Sequence, residues 1–527
     1  MKNLIKYLAV TLFGFIFVLS SCTGKFEEMN TNPFGVSDEE LMQDNNLIGM
    51  HFPTIQQSIY FNRGGNGWEY QVIQNLNADI WSGYMATPTD FEGGINNQTY
   101  SLVNGWNDYC WNYAYNQVMS NQQKVRDKCQ EQGYEENAHF DAINTILRVL
   151  TMSRTADQYG PIIYSKYGQS LTGGEYDSAQ DAYKLFFSEL TEAVNILNNN
   201  LEKGAAFKKF DMAFGGNFAN WIKAANTLRL RLAMRVVKYD PVWAKTEAEA
   251  AIQAPQGLLT GKTLSFSGFG WRHPLFTCSI EYNDIFVSAN VQSILSGYGD
   301  PRLPKFGAPK AADVIGIRTG IPGLNEYADR YKEVISNINV SIEEPGMLIS
   351  ASEAYFLLAE AALRGWNAGG ESKTFYENGV KASFEQWGAG AADDYLNSTK
   401  KPAGWNDPLG RNEISSAAVS TITPKWDDSA TNEEKLERII TQKWIGGYPE
   451  GMNAWAEWRR TGYPKLFPIL KNDSQGIIPT ELGVRRLSYT VGEKANNPQG
   501  YAKAVELLGG PDNGASRLFW DKNQPNF

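Results

Sequence analysis

Seven aromatic residues fall within 40 positions of one another: Trp68, Tyr70, Trp81, Tyr84, Phe91, Tyr100 and Trp106. Asn62, Asn66, Asn96, Asn97 and Gln98 are interspersed with them. Flat rings can lie against the apolar faces of sugar rings while amides bond the hydroxyls. The same mixture also suits a peptide. A ring with a polar edge fits a half-wet site, whereas a single ring is more often core. Trp106, Tyr109, Cys110 and Tyr113 recur at i, i+3, i+4 and i+7, which reads as a packing stripe on a helix. A second ring-rich loop, "SGFGWRHPLF", contributes Trp271. The candidate ligand-binding residues are therefore Trp68, Trp81, Tyr84, Tyr100, Trp106 and Trp271.

Catalytic chemistry has less support. The chain has 3 histidines, His51, His139 and His273, without the paired spacing that catalytic zinc requires. No G-x-S-x-G elbow is present. Gly257 and Gly261 enclose one residue too few for a phosphate loop. "DDSATNEE" alternates oxygen donors without the glycine and final glutamate of a calcium loop. The 58 acidic residues include no pair singled out for glycoside cleavage, which is a spatial arrangement. No metal or cofactor is expected, and a non-catalytic binder is favoured. A surface glycoside hydrolase is the competing reading.

The N-terminus bears on location. Lys2 and Lys6 precede the apolar run Tyr7 to Leu19, too short to span a bilayer but suited to a signal peptide. Leu19-Ser20-Ser21-Cys22 resembles a bacterial lipobox, in which residues 1–21 are removed and Cys22 is acylated. Lys25, Glu27 and Glu28 resemble the acidic export signal of surface lipoproteins. Two or three acyl chains hold a protein durably on a membrane. The net charge of −10 falls further when the two N-terminal lysines are lost, so nucleic acid is not an expected partner. Cys110, Cys129 and Cys278 form an odd set that allows one disulfide at most.

These side chains need a scaffold. Residues 22–45 read as a tether, and 46–527 as one domain. Helical periodicity covers 43–60, 105–128, 137–158, 179–200, 217–238, 432–446 and 451–460. Arg231, Arg235 and Lys238 form a basic stripe on one helix, read as a solvated or carboxylate-paired face. The pair at 350–387 is the clearest, with capping-box spacing at Ser350 and Glu353, Gly365 as a C-cap and small residues (Ala359, Ala362, Gly379) for close approach. Such hairpins resemble tetratricopeptide units. Irregular stretches are expected at 61–105, 254–345 and 390–430, and loops of that length are usually functional.

Several longer motifs carry a further resemblance: "FEEMNTNPFGVS", "TADQYGPIIYSKY", "FGGNFANWIKAANTLRLRLAMRV", "ISASEAYFLLAEAALRGW", "QKWIGGYPEGMNAWAEWRRTGYP" and "VRRLSYTVGEKANN". Together they resemble the SusD/RagB family of nutrient-binding outer-membrane lipoproteins along essentially the whole chain. The resemblance implies a mainly α fold, with a scaffold of four tetratricopeptide-like helix pairs and a loop-rich, irregular ligand-binding region. It implies a lipid-anchored protein on the cell surface that captures a glycan or a peptide. It also implies a SusC-like TonB-dependent outer-membrane barrel as partner, over which the protein acts as a lid. "EWRRTGYP" and "ANTLRLRLAMR" then read as packing and ion-pair positions. No ligand residue carries over from a motif.

Overall fold

Helices dominate because apolar residues recur at helical spacing and polar side chains close the helix ends. The computed structural model describes residues 43–170 and 173–527. The expected signal peptide, the expected acylation site Cys22 and nearly all of the expected tether lie outside the described residues. Residues 48–527 form one compact unit.

Eight helices form four consecutive pairs: α1 (Ser120–Glu131) with α2 (Tyr134–Tyr159), and α3 (Ala179–Asn198) with α4 (Phe218–Arg235). They continue with α5 (Glu353–Leu363) and α6 (Ser372–Gln386), then α7 (Asn432–Gly447) and α8 (Gly451–Thr461). This is the mainly α scaffold of four tetratricopeptide-like pairs that the family resemblance implied, with its helices where the periodicity placed them. Helix starts follow from caps: Ser178 Oγ accepts from Asp181 N at 3.0 Å, and Asn217 Oδ1 from Asn220 N at 3.0 Å. In "DDSATNEE", Thr431 and Glu434 form a reciprocal capping box at the start of α7. The capping box expected at Ser350 and Glu353 does not form. Ser352 is the N-cap residue, and Glu353 turns inward to a buried arginine instead.

Close approach of α5 and α6 depends on Gly379. A Cβ there would lie 2.7 Å from the Phe356 ring, so only glycine fits without displacement.

Charges lie in the centre of this scaffold. Arg231 donates two hydrogen bonds to Glu353, at 2.7 and 2.6 Å. Arg235 reaches Asp157 at 3.1 Å and Glu457 at 2.5 Å. Arg460 meets Glu360 and Glu457, and Lys443 lies 3.2 Å from Glu457. All of these residues are buried. The expected basic stripe is thus carboxylate-paired at Arg231 and Arg235. Lys238 is half-buried, and burial lowers its ammonium to about 8.

Two stretches expected to be irregular contain regular structure. Within 61–105 lies a helix, Gly67–Tyr70, continuing as the π-helical Gln71–Asp79. Its many amides hid it, because helical polarity patterns assume a wet outer face. Here Gln74 and Asn75 are buried and both donate to Asp79 at 3.0 Å. Within 254–345 lie the helices Ala289–Tyr298 and Leu324–Val334. Residues 390–430 contain only short turns of helix. Two small antiparallel pairings tie the irregular regions together, Met85–Ala86 with Phe286–Val287 and Leu264–Phe266 with Gly346–Ile349.

Candidate ligand-binding surface

The helix Asn104–Tyr113 runs on through the π-helical Ala114–Met119 into α1. Cys110 and Trp111 face the core, whereas Trp106 and Tyr109 lie on the outer side. The loop before Gly67 is tied to this helix. Tyr113 donates to Glu69 Oε2 at 3.0 Å and accepts from Arg63 N at 3.3 Å. Gly67 is fixed from the other side, since a Cβ there would meet Thr277 at 2.5 Å. These restraints present Trp68 to solvent beside Tyr109.

The result is a row of four rings. Trp68 and Tyr109 meet edge to face at 5.4 Å and 82°. Trp106 lies one helical turn from Tyr109 and packs edge to face on Phe91 at 5.9 Å. Trp68 and Tyr109 are 41% and 40% exposed, while Trp106 and Phe91 are half-buried and pack against the hydrophobic core. Exposed Asn66, Asn104 and Asn112 lie close in sequence to these rings. Rings held by other rings lose little conformational freedom on binding. Burial raises the Glu69 carboxyl despite its bond from Tyr113. Asp108, also raised by burial, accepts from Val491 N at 3.1 Å. Such a surface can hold flat, partly apolar faces with hydroxyls or amides around them.

Of the six candidate residues, Trp68 and Trp106 lie in this row, Trp68 against Tyr109 and Trp106 against Phe91. Trp81 is buried, its indole donating to the Asn97 carbonyl at 3.0 Å and its ring against Trp455 at 4.9 Å. Tyr84 is fully buried between Trp444 and Tyr448 and donates to the Trp444 carbonyl at 2.5 Å. Neither presents a face to solvent, because the rings complete the junction with α7 and α8. Tyr100 is buried in a left-handed backbone conformation (φ 62°), and burial pushes its phenol up to about 12. With Trp81 and Trp458 it lines a cavity of about 150 Å³. Trp271 is half-buried against Tyr60 at 5.4 Å, its indole donating to the Glu344 carbonyl at 2.8 Å.

Most of the expected amides also serve the fold. Asn62 donates to the Arg272 carbonyl, Asn96 caps a turn, Asn97 accepts from Val103 N, and Gln98 is buried. Asn66 alone of the five is exposed. Tyr109, expected in the packing stripe, is instead exposed, with exposed Asn104, Gly105 and Asn112 around it. Cys110, Cys129 and Cys278 are buried free thiols, and no disulfide joins them.

A family model described as SusD-like, the Susd and RagB outer membrane lipoproteins, matches residues 28–521. Among solved structures, a chitin-binding SusD homologue from Flavobacterium johnsoniae is 44% identical with a TM-score of 0.86, covering 91% of this chain and 100% of its own. A SusD homologue from Bacteroides vulgatus is 38% identical with a TM-score of 0.85, covering 91% and 98%. A third, from Bacteroides uniformis, is 33% identical with a TM-score of 0.84, covering 90% and 99%. No curated protein matches. No helix among the described residues is long and apolar enough to cross a membrane.

Proposed function

Because this chain belongs to the SusD/RagB family of outer membrane lipoproteins, we propose that it is a surface-anchored binding protein that captures nutrient glycans without cleaving them. Acylated Cys22 holds it on the outer membrane, facing outward. It delivers its ligand to a SusC-like TonB-dependent barrel, over which it acts as a lid.

The observation that carries this reading is the exposed pair Trp68–Tyr109, with the half-buried pair Trp106–Phe91 one helical turn away. Glycans of the chitin class are its first ligand, in line with the 44%-identical chitin-binding homologue. Their pyranose faces suit the rings, and their acetamido groups suit neighbouring amides. Each ring contact contributes about 1 kcal/mol, so capture is weak and release into a transporter is easy. The acids beside the row, Glu69 and Asp108, are engaged by Tyr113 and by the Val491 backbone, which fits binding better than hydrolysis.

Calorimetric titration of the purified protein with chitooligosaccharides, other glycans and peptides tests this. Saturable binding of an oligosaccharide is expected, with no new reducing ends after prolonged incubation. Saturable peptide binding without glycan binding would move the ligand class to peptides. Turnover abolished by one Asp or Glu change would make it an enzyme.

A further inference from the structure

A cavity of about 410 Å³ opens between α1, α2 and the segment at 164–169, away from the ring row. Gln122, Arg126, Asp127, Asn144, Arg148 and Tyr167 are among its walls. At 1.5 Å per residue, Gln122 lies about 20 Å from Tyr109 along the continuous helix. The volume is within the range of small-molecule sites, roughly 300–1,000 Å³.

Its polar groups are incompletely used by the fold. Arg148 is buried, its Nε has no partner, and its nearest carboxylate, Glu189, lies 3.5 Å away. Arg126 is also 3.5 Å from its carboxylate, Asp141. Gln122 Oε1 and Asn144 Oδ1 are buried without partners. A buried polar group left unpaired costs about 1–3 kcal/mol, which a ligand or water reached by a small side-chain rotation would recover. The charges nearly balance: Arg126 and Arg148 face Asp141 and Glu189, with Asp127 exposed at the rim. An anion would gain little from such a site. Hydroxyl groups, which donate to the amide oxygens and accept from the guanidiniums, match it. Tyr167, stacked on Tyr115 at 5.8 Å, supplies a half-buried ring in the wall.

We propose that this scaffold cavity is a second site for a neutral, hydroxyl-rich ligand the size of a mono- or disaccharide. It does not rest on the assignment of the ring row. The test uses a Trp68→Ala/Tyr109→Ala variant, in which the row is disabled, titrated with glucose, N-acetylglucosamine, their disaccharides and sulfate. Saturable one-site sugar binding is expected to remain. Arg126→Met at the rim, added to that variant, is expected to weaken it about tenfold with unchanged melting temperature. The proposal fails if the row-disabled variant binds no sugar, if Arg126→Met leaves the affinity unchanged, or if sulfate binds more tightly than every sugar.

Discussion

Arg460 on α8 donates two parallel hydrogen bonds of 2.7 Å to Glu360 on α5, with both side chains buried. Burial pushes the Glu360 carboxyl up, but the Arg460 and Arg364 guanidiniums outweigh it and hold it down to about 2. A buried pair replaced whole by apolar groups is often neutral, whereas removing one partner strands a charge. Glu360→Ala is therefore expected to destabilise the fold by about 3–5 kcal/mol, read by chemical denaturation. A depressed carboxyl contributes stability above its unfolded value near 4.5 and loses it as pH falls toward 2. Acid unfolding of the variant is accordingly shallower than that of the parent over that interval.

The rings divide into two groups with opposite signatures. Trp68→Ala or Tyr109→Ala removes an exposed ring, so each is expected to weaken glycan binding about fivefold with little change in melting temperature. Trp81→Ala deletes a buried indole and is expected to cost about 3–5 kcal/mol of stability. Calorimetric titration and thermal melts on the same preparations separate the two. Unchanged binding in the Trp68 and Tyr109 variants would remove the row as the ligand surface.

That division shows what could be read from sequence. Periodicity located α2, α3, α4, α7 and α8 within a few residues, because each buries a stripe that repeats every third or fourth position. It could not tell Tyr109 from Cys110, neighbours in one stripe, since exposure depends on what a distant segment places above each. Trp81 and Tyr84 reach their partners Trp455 and Trp444 from more than 350 residues away, which no local pattern encodes. The Arg231–Glu353 contact, 122 residues apart, was legible only as a basic stripe awaiting carboxylates. The helix at 67–79 has no unbroken apolar stripe in its sequence, because its buried face includes amides satisfied by Asp79.

The three buried thiols are expected to be inert. Burial pushes Cys110 and Cys129 up to about 12 and Cys278 well above its ordinary value. Thiolate, not thiol, is the nucleophile, so native protein should take up no alkylating reagent at these positions. Unfolded protein beginning after Cys22 should take up three equivalents without prior reduction, counted by intact mass. Two of the three remaining unreactive after unfolding would reveal a disulfide.

His139 supplies the last prediction. It is buried beside Phe140 at 4.6 Å and Phe218 at 5.9 Å. Burial, with the nearby Lys203 charge, pushes its imidazole down to about 4. The folded chain therefore binds this proton less readily than the unfolded chain, whose histidine titrates near 6.5. Stability from this group is complete above pH 6.5 and declines as pH falls toward 4, by on the order of 2 kcal/mol at pH 5. Phenylalanine has a similar shape and no nitrogen to desolvate, so His139→Phe is expected to flatten the fall in melting temperature between pH 6.5 and 4. The carboxylates titrating in that interval are common to both proteins, so the difference between the two profiles isolates the imidazole. Superimposable profiles would mean that His139 is solvated in the folded protein.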